Sequence, residues 1–155
     1  MANQILQKVE ENRIEIRDFK LGDIEYLTVL TNELGYPSTV EEMTQRMEFI
    51  LQLDTYWTYV AVLDERVVGY IGFHKNYFWE REGFYIKIQA LVVKKEYRRF
   101  GIGRKLILSV EEFSRQLQAK TIVLTSGNRE ERQSAHQFYP QMGFEAKSIG
   151  YTKQL

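Results

Sequence analysis

The chain is 155 residues long, enough for one hydrophobic core, and its 44% hydrophobic and 27% charged side chains are those of a soluble globular domain. Lysine plus arginine equals aspartate plus glutamate at 21 each, and the zero net charge argues against nucleic acid as a partner, because its binders carry a basic excess. The absence of cysteine excludes disulfides, cysteine-ligated zinc and thiol nucleophiles; with His74 and His136 the only histidines, no metal site is expected.

Residues 1–12 are polar and read as a flexible extension. They hold no apolar run of signal length, and no run elsewhere is long enough to span a membrane, so a cytoplasmic protein without a membrane partner is expected. Residues 13–155 read as a single domain. Ile14, Ile16 and Phe19 alternate with charges and predict a first strand over 13–19. Gly22-Asp23 opens a helix with Ile24, Leu27, Leu30 and Leu34 inward, which Gly35 and Pro37 stop. Ser38 and Glu41 have capping-box spacing for a second helix, with Val40, Met43, Met47, Ile50 and Leu51 on its face, fraying near Asp54. Two strand-like runs, 57–63 and 67–73, flank a hairpin at Asp64-Glu65-Arg66. An aromatic and acidic connection, His74 to Gly83, leads into a buried central strand over 84–93. A helix follows with Ile102, Leu106, Ile107, Val110, Phe113 and Leu117 on one face. Residues 121–125 predict a short buried strand, Ser126-Gly127-Asn128 a turn, and 131–139 a brief helix grouping Ala135, Phe138 and Tyr139. Gly143-Phe144 is expected to return to a strand, and Tyr151–Leu155 to form an edge strand. The order predicts an α/β fold, one mixed sheet of about seven strands with helices on both faces.

Between the central strand and its helix lies Arg98-Arg99-Phe100-Gly101-Ile102-Gly103-Arg104. The first amides of a helix have no internal partner, and the helix dipole places about half a positive charge there. Glycines at 101 and 103 let backbone N–H groups approach a ligand, and three arginines add formal charge, a combination suited to a pyrophosphate. A Walker loop needs Gly-Lys-Ser/Thr, which is absent, and a dinucleotide fingerprint needs glycine where Leu106 stands. A phosphate cradle and a merely structural Gly-x-Gly turn remain.

Arg98 to Gly103 resembles the Gln/Arg-x-x-Gly-x-Gly/Ala signature of the GNAT superfamily of acetyl-coenzyme A-dependent N-acetyltransferases. Val67-Val68-Gly69 resembles that family's third strand, and Asn128 followed by Ala135, Phe138-Tyr139 and Gly143-Phe144 resembles its second motif. The order of elements resembles the GNAT fold from about residue 13 to the C-terminus. The resemblance implies acetyl-CoA as cosubstrate, held by backbone at Leu91, Val92 and Val93 and by Arg98, Arg99, Phe100, Gly101, Ile102, Gly103 and Arg104. Within that set it implies that the Leu91 amide polarises the thioester carbonyl and the Val93 amide holds the pantetheine arm. Asn128 is a further contact to the arm, or equally a turn residue. Tyr139 stands at the family's general-acid position, where a phenol of pKa about 10 suits a departing thiolate; otherwise it is a core tyrosine. Pro140 beside it is expected to end or kink the helix at Tyr139. Where many members carry a catalytic glutamate on the central strand, this chain has Lys87, with Gln89 two residues on. His74 is then the candidate base, with Glu80 and Glu82 as alternatives and a solvated loop as the bland reading of all three. His136 reads as a surface residue.

Tyr77, Phe78, Trp79 and Trp57, with Glu80, Glu82 and Asp54, read as an aromatic and acidic wall for a cationic acceptor such as a polyamine, an aminoglycoside-like amine or a lysine side chain; the alternative is that these aromatics only pack. A peptide N-terminus is a further acceptor. The expected activity is N-acetyl transfer to a primary amine of a small molecule or peptide, by direct attack on the thioester. The alternative is a non-catalytic acyl-CoA-binding regulatory module of the same fold. Homodimerisation is implied by the resemblance alone.

Overall fold

A computed structural model describes residues 2, 4, 13–126 and 133–155. The reading of residues 1–12 as an extension therefore falls almost wholly outside the described residues, as does Asn128. The chain divides into two compact units, residues 1–123 and 124–155.

The first unit is built on a sheet whose strands lie in sequence order. β1 (Glu15–Asp18), β2 (Tyr56–Leu63), β3 (Arg66–Tyr77) and β4 (Phe84–Val93) form an antiparallel meander. β2 and β3 are joined through Asp64 and Glu65, both at positive φ (50° and 63°), the conformation of a two-residue hairpin turn; Asp64 is ion-paired with Arg13. β5 (Ile122–Leu124) lies beside β4. There the Lys120 N–H donates to Phe84 O and the Ile86 N–H to Thr121 O, so the two chains advance together, as parallel strands do. The described sheet thus has five strands rather than about seven.

Between β1 and β2 come α1 (Ile24–Glu33) and α2 (Val40–Leu51). α2 is capped one residue later than the sequence suggests, the Thr39 hydroxyl accepting from Glu42 N. Leu27 and Leu30 of α1 and Met43 and Met47 of α2 form one core with Val60, Tyr70 and Val92 on one face of the sheet. The opposite face carries α3 (Ile102–Gln116). A Cβ on Gly69 would stand 3.0 Å from Val92 O and 3.2 Å from Ile102 Cγ2, so this glycine lets the start of α3 sit directly on β3. Further along, Phe113 of α3 packs its ring against Trp57, Tyr59 and Phe73.

In the second unit α4 (Gln133–Gln141) runs through Pro140 instead of ending at Tyr139. Its stop comes at Gly143, at φ 89°. The Gly143 N–H donates to Pro140 O and the Phe144 N–H to Tyr139 O, the paired bonds of a Schellman cap. Phe144 is thereby folded back onto Tyr139, ring centroids 5.9 Å apart, rather than extended into a strand. Among the described residues no strand follows β5; Ile149, Tyr151 and Leu155 are exposed, and residues 151–155 do not form the expected edge strand. An isolated strand leaves its ladder groups without partners, and its apolar side chains gain nothing without a face to cover.

Candidate active site

Three features converge along β4. The first is a bulge. Gly72 pairs with Ala90 and Phe73 with Ile88, leaving Gln89 as the extra residue. The apolar positions show the slip: Ile86 and Ile88 are two apart, Leu91 follows after three, and Val93 again after two.

The second is an edge that, among the described residues, no strand pairs beyond β5. Lys94 N–H donates to Val68 O at 2.8 Å, which fixes the phase of the strand beyond the bulge. By alternation the amide of Val92 also faces β3, and those of Leu91 and Val93 face away from it. With Ile86 bonded to Thr121, the three residues of β5 carry the ladder no further than Gln89. The amides of Leu91 and Val93 therefore point past the end of the ladder. Val92 differs from its neighbours, with its side chain in the core beneath α1 and α2 and its amide turned inward.

The third is the turn into α3. Residues 95–97 form a single 3-10 turn, Arg98 is extended, and Arg99 and Gly101 both take positive φ (80° and 74°). Gly101 is the left-handed N-cap of α3, with no side-chain cap and no acidic residue in the first turn. The positive end of the helix is thus left uncompensated, with the exposed Arg98, Arg99 and Arg104 around it. Phe100 is half-buried against Tyr97, and Ile102 is buried beneath the helix. These residues fit a bound pyrophosphate: glycine backbone at a helix start, three cations and no competing carboxylate in the first turn.

His74 is not in a loop. β3 continues to Tyr77 and places His74, 5% exposed, opposite Lys87 on the α1/α2 face. Its ring is stacked on Tyr56 at 4.7 Å, and the Gln89 side-chain nitrogen lies 2.8 Å from Nε2. As a donor, that amide requires an unprotonated Nε2. Burial pushes the imidazole below its ordinary value and Lys87 pushes the same way, against bonds to the Lys75 backbone and to Asn76. Sequence reasoning set aside Gln89 and Lys87 and passed over Tyr56, Gly72 and Asn76; the slip in apolar spacing at 88–91 is the signal that points to them.

The aromatic wall does not form. Trp57 packs under α3 with Phe73 and Phe113, Tyr77 meets Phe84, Phe78 meets Tyr85, and Trp79 is fully exposed. Tyr139 belongs to the second unit, on the last turn of α4, held between Phe138 and Phe144. The side chain of His136 lies outside the described residues. Among the described residues no cluster of histidine and carboxylate side chains could hold a metal ion, and no helix is long and apolar enough to cross a membrane.

The model of the acetyltransferase (GNAT) family matches residues 24–144. An aminoalkylphosphonate N-acetyltransferase of Salmonella typhimurium is 30% identical over 128 residues, 82% of this chain and 79% of the relative. The crystal structure of a GNAT family acetyltransferase from Staphylococcus aureus superposes with a TM-score of 0.79 at 32% identity, covering 92% of this chain and 99% of the other. An aminoglycoside N-acetyltransferase in complex with CoA superposes with a TM-score of 0.76 at 18% identity, over 92% of this chain and 95% of the other, a likeness of fold alone.

Proposed function

This chain belongs to the acetyltransferase (GNAT) family and is an N-acetyltransferase, and from that premise we propose that it moves the acetyl group of acetyl-CoA to a primary amine by direct attack on the thioester. The observation that carries the reading is the open edge of β4, where the Leu91 and Val93 amides project beyond the ladder and lead into the Gly101 cap of α3. Backbone donors fixed before substrate arrives cost no reorganisation when charge develops on a carbonyl oxygen. Leu91 N–H bonds the thioester oxygen, Val93 N–H the pantetheine arm, and the start of α3 with Arg98, Arg99 and Arg104 takes the pyrophosphate.

In the transfer, the amine nitrogen forms a bond to the carbonyl carbon and the carbon–sulfur bond breaks. The nitrogen sheds its proton to His74 Nε2, the Gln89 side chain turning its amide oxygen toward the new N–H; burial lowers the imidazole pKa and so favours the unprotonated form from which a base starts. The sulfur leaves as thiolate and takes a proton from the Tyr139 phenol. The chain has no cysteine for a thioacyl intermediate, so attack is direct. The Salmonella relative is named for an aminoalkylphosphonate acceptor and the CoA-bound structure for an aminoglycoside; a primary amine is what the two chemistries share.

Release of coenzyme A from acetyl-CoA across a panel of amines, read with a thiol reagent, tests the reaction, and a protein without cysteine adds no background. Tyr139→Phe is expected to lower kcat about 10²–10⁴-fold with the melting temperature held. Full kcat in that variant would remove Tyr139 from its role.

A further inference from the structure

The acceptor side of the site carries information that the transfer chemistry leaves unused, and the inference drawn from it rests on the acetyltransferase reading above. On the α1/α2 face of the sheet, Gly72 and Ala90 stand opposite each other at the bulge. A Cβ built on Gly72 meets nothing closer than Ala90 Cβ at 3.8 Å, so two small residues leave an open floor there. Tyr70 and His74 flank Gly72 on the same face of β3. Tyr70 is tied to Thr31 by a 2.7 Å hydroxyl bond, and His74 is held by Tyr56 and Gln89. Just beyond, the Asn76 amide donates to Tyr85 OH. Every one of these partners is neutral.

The formal charges that reach this floor are cations. Lys87 is the register partner of His74 and acts on its imidazole. At the other end Arg46 of α2, bonded to Ser38 Oγ, acts on the Tyr70 phenol. Among the described residues, no carboxylate hydrogen-bonds or ion-pairs with Tyr56, Tyr70, His74, Asn76, Tyr85, Lys87 or Gln89. Asp54, Glu80 and Glu82, the acids expected to draw a cation, are exposed in turns. A cationic acceptor would place like charges together in a partly desolvated site, whereas an anion would find a charged donor in Lys87.

We propose that the acceptor is a primary amine carrying an anionic group, a phosphonate or a carboxylate, on a short aliphatic spacer, with Lys87 taking the anion over the Gly72–Ala90 floor. The spacing fits: with the bulge between them, Lys87 and Leu91 pair with His74 and Ile71, three residues apart on β3 and about 10 Å of strand. A lysine reaching along the strand leaves room for only a few carbons between the anion and an amine at the thioester.

The test compares kcat/KM for aminoethylphosphonate, β-alanine, propanolamine and diaminopropane in the coenzyme A release assay. One or both anionic amines are expected to exceed the neutral and cationic ones at least about tenfold, and the ratio between them tells phosphonate from carboxylate. Lys87→Gln should collapse that preference through KM, and Lys87→Glu should turn it toward diaminopropane, each checked for an unchanged melting temperature. Equal or better use of propanolamine or diaminopropane by the unaltered enzyme overturns the proposal and leaves acetyl transfer standing. Release with none of the four overturns it too. If acetyl-CoA then also fails to raise the melting temperature, the cosubstrate reading falls with it.

Discussion

Gly69 and Gly72 stand three residues apart on one strand and answer to opposite needs. At Gly69 a side chain has nowhere to go, because backbone of β4 and two side chains of α3 close on the site. Gly69→Val is expected to cost about 1–3 kcal/mol in chemical denaturation, as overpacking does, and to weaken acetyl-CoA binding by lifting the start of α3. At Gly72 a methyl group fits without contact closer than 3.8 Å. Gly72→Ala should leave stability within about 1 kcal/mol and lower kcat/KM for the acceptor; an unchanged kcat/KM would mean the floor is not where the amine binds. His74 gives a pH signature. Its folded pKa lies below the unfolded value of about 6.5, so the unfolded chain takes up the proton first. Stability is therefore full above about 6.5, falls as the pH drops below it, and stops falling on this account once the folded imidazole is protonated. A thermal scan against pH for the parent and His74→Gln should diverge in that window, with the variant flatter. The Gly101 turn into α3 was legible because a left-handed position calls for glycine. The setting of His74 was not, since burial and a stacked tyrosine depend on which residues lie across the sheet.

At the scale of elements, the sequence located each of α1 to α4 and β1 to β5, because periodicity and turn residues are local signals. It misjudged how elements end. Ser38 and Thr39 are both competent caps, and only the backbone conformation of Thr39, extended at φ −83° and ψ 163°, selects between them. Pro140 reads as a break, yet its missing N–H removes one bond from a helix whose end is secured by two others. Gly143-Phe144 reads equally as the start of a strand or as the glycine and apolar partner of a helix cap. Tyr139 supplies the carbonyl and the ring that decide for the cap. Gly143→Ala forces an L-residue to φ 89° and is expected to cost about 1–2 kcal/mol. Because Tyr139 is the residue the cap returns to, kcat should drop along with α4 stability, and a variant that lost only stability would detach the tyrosine from the reaction.

At the scale of the molecule, β2 to β4 need only neighbouring segments to meet, while β1 pairs across two helices and β5 arrives after the 102–116 helix has crossed the sheet. The architecture was readable because its order is so regular. The count of strands was not, because whether residues 145–155 pair depends on a partner edge rather than on their own composition. The edge of β4 beyond β5 has a consequence for the protein's life before it meets substrate. Unsatisfied amides on a strand edge are a template for another chain, and a three-residue β5 guards little of this one. Acetyl-CoA laid along that edge would act as a removable guard. Its occupancy at a hundredfold excess over Kd is worth about 2.7 kcal/mol, and it also hides the template. Refolding at micromolar protein with and without CoA, followed by light scattering, should show less aggregate with CoA than the stability gain alone predicts. The supply of cosubstrate would then govern not only how fast this enzyme works but how much of it survives to work.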